Sequence, residues 1–322
     1  MFKSSAVWLL GDQTGRRRLS SRAWRKRVTF YLFISPWVIG FVALYLIPLV
    51  LGLLTSTTNY DGTDLAHLKF VRLDNYARAF SDPEAAFTAG RTLLWVALNL
   101  PAWLLLSFML ALILNQGLRG RGIFRTLYYL PSVMPAVATV WTWKIFLDNN
   151  FGLLAAIVDW ILPGAVIPWL TKYALGSMTL VSLWGGLGSG MVIFLAGLQG
   201  IPRELEEAAR IDGANRLQVF GYVTIPLITP VIFFQLIMGL IGGFQALVIP
   251  LLLVSGYSSR TPPRSLYLYM VYTYNQIFVY QRFGYGTALL WILFAVILSL
   301  TLLVFATQRH WVHYEVEAEG ER

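Results

Sequence analysis

The sequence predicts an all-α, polytopic membrane protein with six transmembrane helices. Three observations carry that expectation. Apolar types make up 57% of the 322 residues and the mean hydropathy is +0.62. Charged residues make up 13%, about half the share of an ordinary soluble domain. Six stretches also reach the roughly 20 predominantly apolar residues that a bilayer crossing requires. The same figures exclude disorder, which needs low hydrophobicity and high charge.

Taken in order, the chain opens on a basic cytosolic segment, residues 1–29. It carries Lys3, Arg16, Arg17, Arg18, Arg22, Arg25, Lys26 and Arg27, eight of the 25 Lys/Arg. A cluster of this kind beside a first span belongs at the anionic cytoplasmic headgroups. It lacks the aromatic–basic interleaving of an RNA site, so no nucleic acid is expected as partner. The apolar piece 6–10 is too short, and placed too early, to be a cleaved leader.

The six predicted spans are residues 30–54, 92–114, 124–147, 175–198, 227–254 and 287–306, which together set a membrane domain over 30–306. None contains Asp or Glu. Lys144 sits near the end of the third, where its side chain can snorkel to the interface. Lys/Arg are about twice as dense in 1–29, 115–123, 199–226 and 307–322 as in the alternate loops, so both termini are placed inside. The cytosolic tail, 307–322, is acidic through Glu315, Glu317, Glu319 and Glu321. Prolines recur in or beside the spans at 36, 48, 101, 131, 135, 230 and 250, as tolerated kinks or as bends that shape a pathway.

Chemistry of its own is hard to place in this chain. Cysteine is absent, which removes disulfides, thiolate metal sites and a Cys nucleophile. No Gly-x-x-x-x-Gly-Lys-Ser/Thr stretch exists to cradle nucleotide phosphates. His310 and His313 are three apart without a further ligand, so no metal site and no catalytic residue are expected. The missing intramembrane carboxylates count against a proton-coupled carrier and against a membrane enzyme. What is left is a conduit driven by a partner; a self-sufficient secondary carrier is the rival.

The most specific stretch is the cytosolic loop 199–226. Pro202 suits a first helical turn. Glu204, Glu206 and Glu207 favour the positive end of the helix dipole, and Gly213 suits the cap. A helix is expected over 202–212, with Leu205, Ala208, Ala209 and Asp212 on one stripe. A second short helix over 215–223 should then end at Pro226. An interfacial amphipathic helix would account for this pattern equally well. But Glu207-Ala208-Ala209, Asp212-Gly213-Ala214, Phe220 and Val223-Thr224-Ile225-Pro226 also resemble, in spacing, the EAA loop of ABC importer permease subunits. Ile225 stands where leucine is commoner.

Further segments are similar to the carbohydrate subfamily, of the maltose and glycerol-3-phosphate type. They are Leu73-Asp74-Asn75-Tyr76 with Phe80, the first inner loop from Leu118 to Thr126, Ala196 to Pro202, and Ile241-Gly242-Gly243-Phe244-Gln245. The usual Thr-x-Gly-Gly-Pro after the fifth span is replaced by residues 255–263. The resemblance implies a type I importer permease fold in a bacterial or archaeal cell membrane. It implies a second permease, most simply a heterodimer, two ATPase copies and an extracellular solute-binding protein, with membrane lipid around the whole. ATP and Mg would sit on the ATPase and no cofactor on this chain. The resemblance makes Glu206, Glu207, Ala208, Ala209, Asp212, Gly213 and Ala214 the ATPase-coupling residues, and a sugar or related polar solute the cargo.

The spans flanking that loop carry a candidate pathway. Ser182, Gly185, Gly186 and Ser189 share one helical face, and Gln235, Met238, Gly239, Gly242 and Gln245 are similarly spaced in the next span. Both spans contain Gly-x-x-x-Gly, which equally marks close helix packing. Substrate in the resembling family crosses between these spans, so Ser182, Trp184, Gly185, Gly186, Ser189, Gly242, Phe244 and Gln245 are the candidate pathway residues. The outer loop 255–286 holds seven tyrosines, expected as an interfacial aromatic belt or as a docking surface for the binding protein.

Overall fold

The computed structural model describes residues 21–63, 66, 68–117, 119–254 and 264–313. Lys3, Arg16–Arg18, His67, Leu118, the segment 255–263 with Tyr257, and the four tail glutamates lie outside the described residues. Among the described residues the structure is helical, with one isolated bridge between Thr58 and Phe70. Five helices among these residues are long and apolar enough to cross a membrane: Trp24–Ser56, Pro83–Asn115, Ala174–Gln199, Arg216–Phe244 and Phe283–His310.

The chain divides into two units, up to Leu54 and from Thr55 onward. In the first, α1 (Ser21–Phe41) passes through a π turn at Val42–Leu46 into α2 (Ile47–Ser56). Trp37, Phe41 and Tyr45 stack at i, i+4 spacing along it, with ring centroids 5.5 and 6.1 Å apart.

The second unit begins with the short α3 (Asp74–Ser81) and then α4 (Pro83–Asn115), 33 residues and about 50 Å long. Asp82 caps α4 by accepting from the Glu84 N–H, and Pro83 occupies the first turn, where its missing N–H costs nothing. The third predicted span is not one helix. It is α5 (Arg121–Val133) and α6 (Ala136–Phe146), separated at Met134 and Pro135. Pro135 offers no N–H and forces the residue before it out of the helical region; Met134 is extended at φ −69°, ψ 139°.

A short α7 (Leu153–Ile161) precedes α8 (Ala174–Gln199). The loop helices follow: α9 (Arg203–Ile211) is within one residue of expectation at each end, whereas α10 (Arg216–Val219) starts one residue late and ends four residues early. Pro226 does not end the second of these. A π turn at Phe220–Thr224 carries α10 straight into α11 (Ile225–Phe244). Such a widened turn absorbs a residue that cannot donate to the ladder. The fifth predicted span is instead interrupted after Phe244 and resumes as α12 (Val248–Val254). The chain closes with α13 (Tyr269–Tyr274) and α14 (Phe283–Thr307).

Packing centres on α4, which lies most extensively against α8 and then α11. Between membrane helices there is little hydrophobic drive, so close backbone approach sets the contact. A Cβ on Gly190 would stand 2.6 Å from Ser107 Oγ, and one on Gly239 would stand 2.4 Å from Leu100. Both Gly-x-x-x-Gly stretches thus seat against α4. Gln235 is buried and donates from Nε2 to the Gly190 carbonyl at 3.0 Å, binding α11 to α8.

Of the loop tyrosines, Tyr280 is exposed and Tyr274 half-buried, but four others do not face outward as a belt would. Tyr267, Tyr269, Tyr272 and Tyr285 are buried within the protein. Their hydroxyls have partners there: Tyr269 donates to the Leu289 carbonyl, and Tyr272 and Tyr285 both donate to Asp82. A polar ring tip can turn inward when a carboxylate waits for it.

Candidate functional site

A groove of about 370 Å³ runs along the middle of α4 and α8 and the C-terminal half of α11. From α8 come Ser182, Gly186, Ser189 and Ile193; from α11 come Phe234, Gln235, Met238, Gly239, Gly242 and Gly243. From α4 come Trp95, Asn99, Leu100 and Trp103. The structure therefore brings four of the candidate pathway residues together: Ser182, Gly186, Ser189 and Gly242.

The other four lie elsewhere. Trp184 packs edge-on against Trp143, centroids 5.7 Å apart. Gly185 is half-buried with open space over its Cα, yet it is not in the groove wall. Phe244 is buried in the core and lines a separate apolar recess with Thr92, Leu93 and Tyr269. Gln245 caps the end of α11 and is exposed. Trp184 is turned to α6 by its contact with Trp143, and α11 stops one residue before Gln245.

The α4 wall was not legible as a site. Trp103 donates from Nε1 to the Gly186 carbonyl at 2.9 Å, which also accepts from Ser189 Oγ. Trp95 Nε1 and Asn99 Oδ1 are buried and have no hydrogen-bond partner. They are four residues apart and so on one face of α4. Both residues line the groove, so its wall holds a buried donor and a buried acceptor that the protein itself does not satisfy. The wall bears no formal charge, and two indole rings give it flat apolar surface.

The loop between α8 and α11 presents a second candidate surface. α9 ends in a Schellman cap: the Gly213 N–H donates to the Arg210 carbonyl at 3.0 Å and the Ala214 N–H to the Ala209 carbonyl at 2.9 Å. Gly213 sits at φ +88°, which only glycine adopts without strain. Ala209 and Ala214, both half-buried, are thus part of the cap. Glu206 faces its own chain. It pairs with Arg210 at 3.7 Å and lines a small cavity with Asn115, Gln116, Phe220 and Thr224. Phe220 is drawn inward to stack on Phe108, centroids 6.4 Å apart.

Glu207, Ala208, Asp212 and Gly213 remain exposed. In the same loop Ile211, Leu217 and Tyr222 are 86%, 81% and 82% exposed, large apolar side chains without cover from this chain. Asn215 and Gln218 form a capping box that starts α10. No group of three or more His, Asp or Glu able to hold a metal occurs among the described residues.

Residues 104–312 match the family of binding-protein-dependent transport system inner membrane components. A probable ABC transporter permease, YesP of Bacillus subtilis (strain 168), is 36% identical over 93% of this chain and 96% of its own. The chain belongs to this family. The trehalose/maltose transport system permease MalF of Thermococcus litoralis is 29% identical to this permease, over 90% of it and 97% of that protein. The arabinooligosaccharides permease AraP of B. subtilis is 30% identical, over 86% and 88%. A chain of a bacterial alginate ABC transporter, solved in complex with an alginate pentasaccharide-bound periplasmic protein, shares the fold. Its TM-score is 0.79 at 20% identity, covering 92% of this permease and 99% of that chain. The family match takes in the loop, α8 and α11. It begins one residue after Trp103, so the α4 wall of the groove precedes it.

Proposed function

We propose that this permease is the membrane-spanning subunit of an ATP-driven importer for a sugar or closely related polar solute. The cargo is delivered by an extracellular binding protein and released to the cytosol. The observation that carries the reading is the groove between α4, α8 and α11, with the unpaired Trp95 Nε1 and Asn99 Oδ1 buried in its wall. Hydroxyl-rich solutes meet such a wall through hydrogen bonds at their edges and stacking on their faces. The names of the relatives, trehalose/maltose and arabinooligosaccharide permeases, agree with that chemistry.

In this reading the chain has no catalytic site and binds no cofactor. A separate ATPase with ATP and Mg supplies the energy. The exposed Glu207, Ala208, Asp212 and Gly213, with Ile211, Leu217 and Tyr222, form the surface that docks it. Small residues at the centre allow close approach, the large apolar ones anchor the edge, and Glu207 meets a basic group. A second permease closes the open side of the groove. The assembly sits in a bacterial or archaeal cell membrane with the loop inside.

Co-expression with candidate ATPases and reconstitution into vesicles test this. ATP-dependent uptake that Glu207→Arg abolishes, while the variant chain still inserts, is the expected result. Uptake by the isolated chain under an ion gradient would instead establish a secondary carrier.

A further inference from the structure

The base of α11 is weakened twice by proline and repaired from outside. Pro226 and Pro230 supply no N–H to the helical ladder, and a π turn at Phe220–Thr224 precedes them. The missing Pro230 N–H would have reached the Pro226 carbonyl. Thr229 fills that place, its Oγ1 donating to the Pro226 carbonyl at 2.6 Å. The same hydroxyl accepts the backbone N–H of His313 at 2.9 Å, from 84 residues later in the chain.

Residues 308–313, which leave α14 through a short 3-10 turn at Gln308–His310, are thereby laid over the base of α11. One ring contact holds them there, and a second ties the same phenylalanine to α14. Phe233 meets Trp311 edge-on at 5.9 Å and Phe305 of α14 at 5.1 Å. Trp311 is held in turn by its Nε1, which donates to Thr307 Oγ1 at 3.4 Å. Thr229 and Phe233 are both buried beneath this segment.

The geometry points to the segment 308–313 as a splint, with Thr229 and Trp311 as positioning residues for transport. The loop 203–224 has to pass its movement to the groove-lining part of α11, at Phe234 to Gly243. Between the two lies the stretch from the π turn to Pro230, where the helix lacks rungs and would bend instead of pushing. Fastened to α14 through Thr229, Phe233 and Trp311, that stretch moves as one piece with its neighbours. The inference rests on the ATP-driven reading above, because it assigns the loop as the moving part.

The test uses the assembled complex in vesicles, reading solute taken up per ATP hydrolysed together with exchange of the His313 amide. Thr229→Ala and Trp311→Ala should assemble and hydrolyse ATP, yet lower uptake per ATP by about fivefold, the change that one lost hydrogen bond makes in an opening equilibrium. Thr229→Ser, which keeps the hydroxyl, should restore the ratio. Trp311→Ala leaves the ladder of α11 intact, so it answers even if Thr229→Ala fails to fold. An unchanged ratio in Trp311→Ala, with His313 exchange accelerated, overturns the splint. Absence of ATP-driven uptake in the unsubstituted complex overturns the importer reading instead, and with it this inference.

Discussion

The Tyr285 hydroxyl donates to the Asp82 carboxylate at 2.6 Å, joining the start of α14 to the cap of α4. Tyr272 of α13 donates to the same oxygen, and Arg78 lies 4.6 Å above the Tyr285 ring. One carboxylate thus ties three helices at one end of the bundle. Asp82→Asn isolates this tie, since Asn caps a helix as well as Asp does. The loss of two charge-assisted bonds should cost about 1–2 kcal/mol in an unfolding titration in mixed micelles. A variant as stable as the parent would show the tyrosines to be held by packing alone.

The same carboxylate sets a pH dependence. Burial would raise the Asp82 pKa, but the bonds from Tyr272 and Tyr285 and from the Glu84 and Ala85 backbone outweigh it and hold the value below the ordinary 3.8. A carboxyl depressed in the folded state contributes stability that is complete above its unfolded pKa and disappears as pH falls through the folded one. The permease should therefore lose stability below about pH 4, and Asp82→Asn should flatten that fall. Melting temperature across pH 2–6 for both chains measures it.

Gly188 and Gly185 face opposite fates three residues apart. A Cβ on Gly188 would lie 2.2 Å from the Tyr128 carbonyl oxygen, a backbone atom that cannot step aside, whereas one on Gly185 meets nothing within 4 Å. Gly188→Ala should force α5 off α8 and cost about 3 kcal/mol or prevent folding. Gly185→Ala should stay within about 0.5 kcal/mol of the parent. Fluorescence-detected size exclusion after heating separates the two.

That contrast shows where the sequence is legible. The loop could be read because its chemistry is local: the helix cap needs glycine at 213, and the charges follow the helix dipole. Long apolar runs likewise announced most spans. The groove could be read only by half. Helical period put Ser182, Gly186 and Ser189 on one face, but which neighbour that face meets depends on how deeply glycines let α4 approach. Gly190 against Ser107 and Gly239 against Leu100 fix the register of α4, and that register turns Trp95 and Asn99 into the groove. Nothing within α4 itself distinguishes these two from packing residues. The proline at 135 was visible, yet its effect on Met134 splits a stretch whose composition reads as continuous. Tyr272 and Tyr285 looked like interfacial residues because the partner that buries them, Asp82, lies some 190 to 203 positions away in sequence.

Trp95 provides a variant in which stability and transport should part company. Its indole N–H is buried and unpaired, which is a standing cost to the folded permease. Trp95→Phe removes that donor while keeping an aromatic ring in the wall. If the N–H serves only the fold, the variant should be equal or more stable and transport should be unchanged. If the groove receives a solute that accepts this bond, stability should still hold or rise, but uptake at limiting solute should fall about tenfold, the effect of about 1.4 kcal/mol. Asn99→Leu should behave in the same way through the loss of Oδ1. The pair of measurements is uptake in vesicles at solute levels below saturation and melting temperature of the same preparations. A loss of uptake that merely tracks a loss of stability would remove both residues from the solute site.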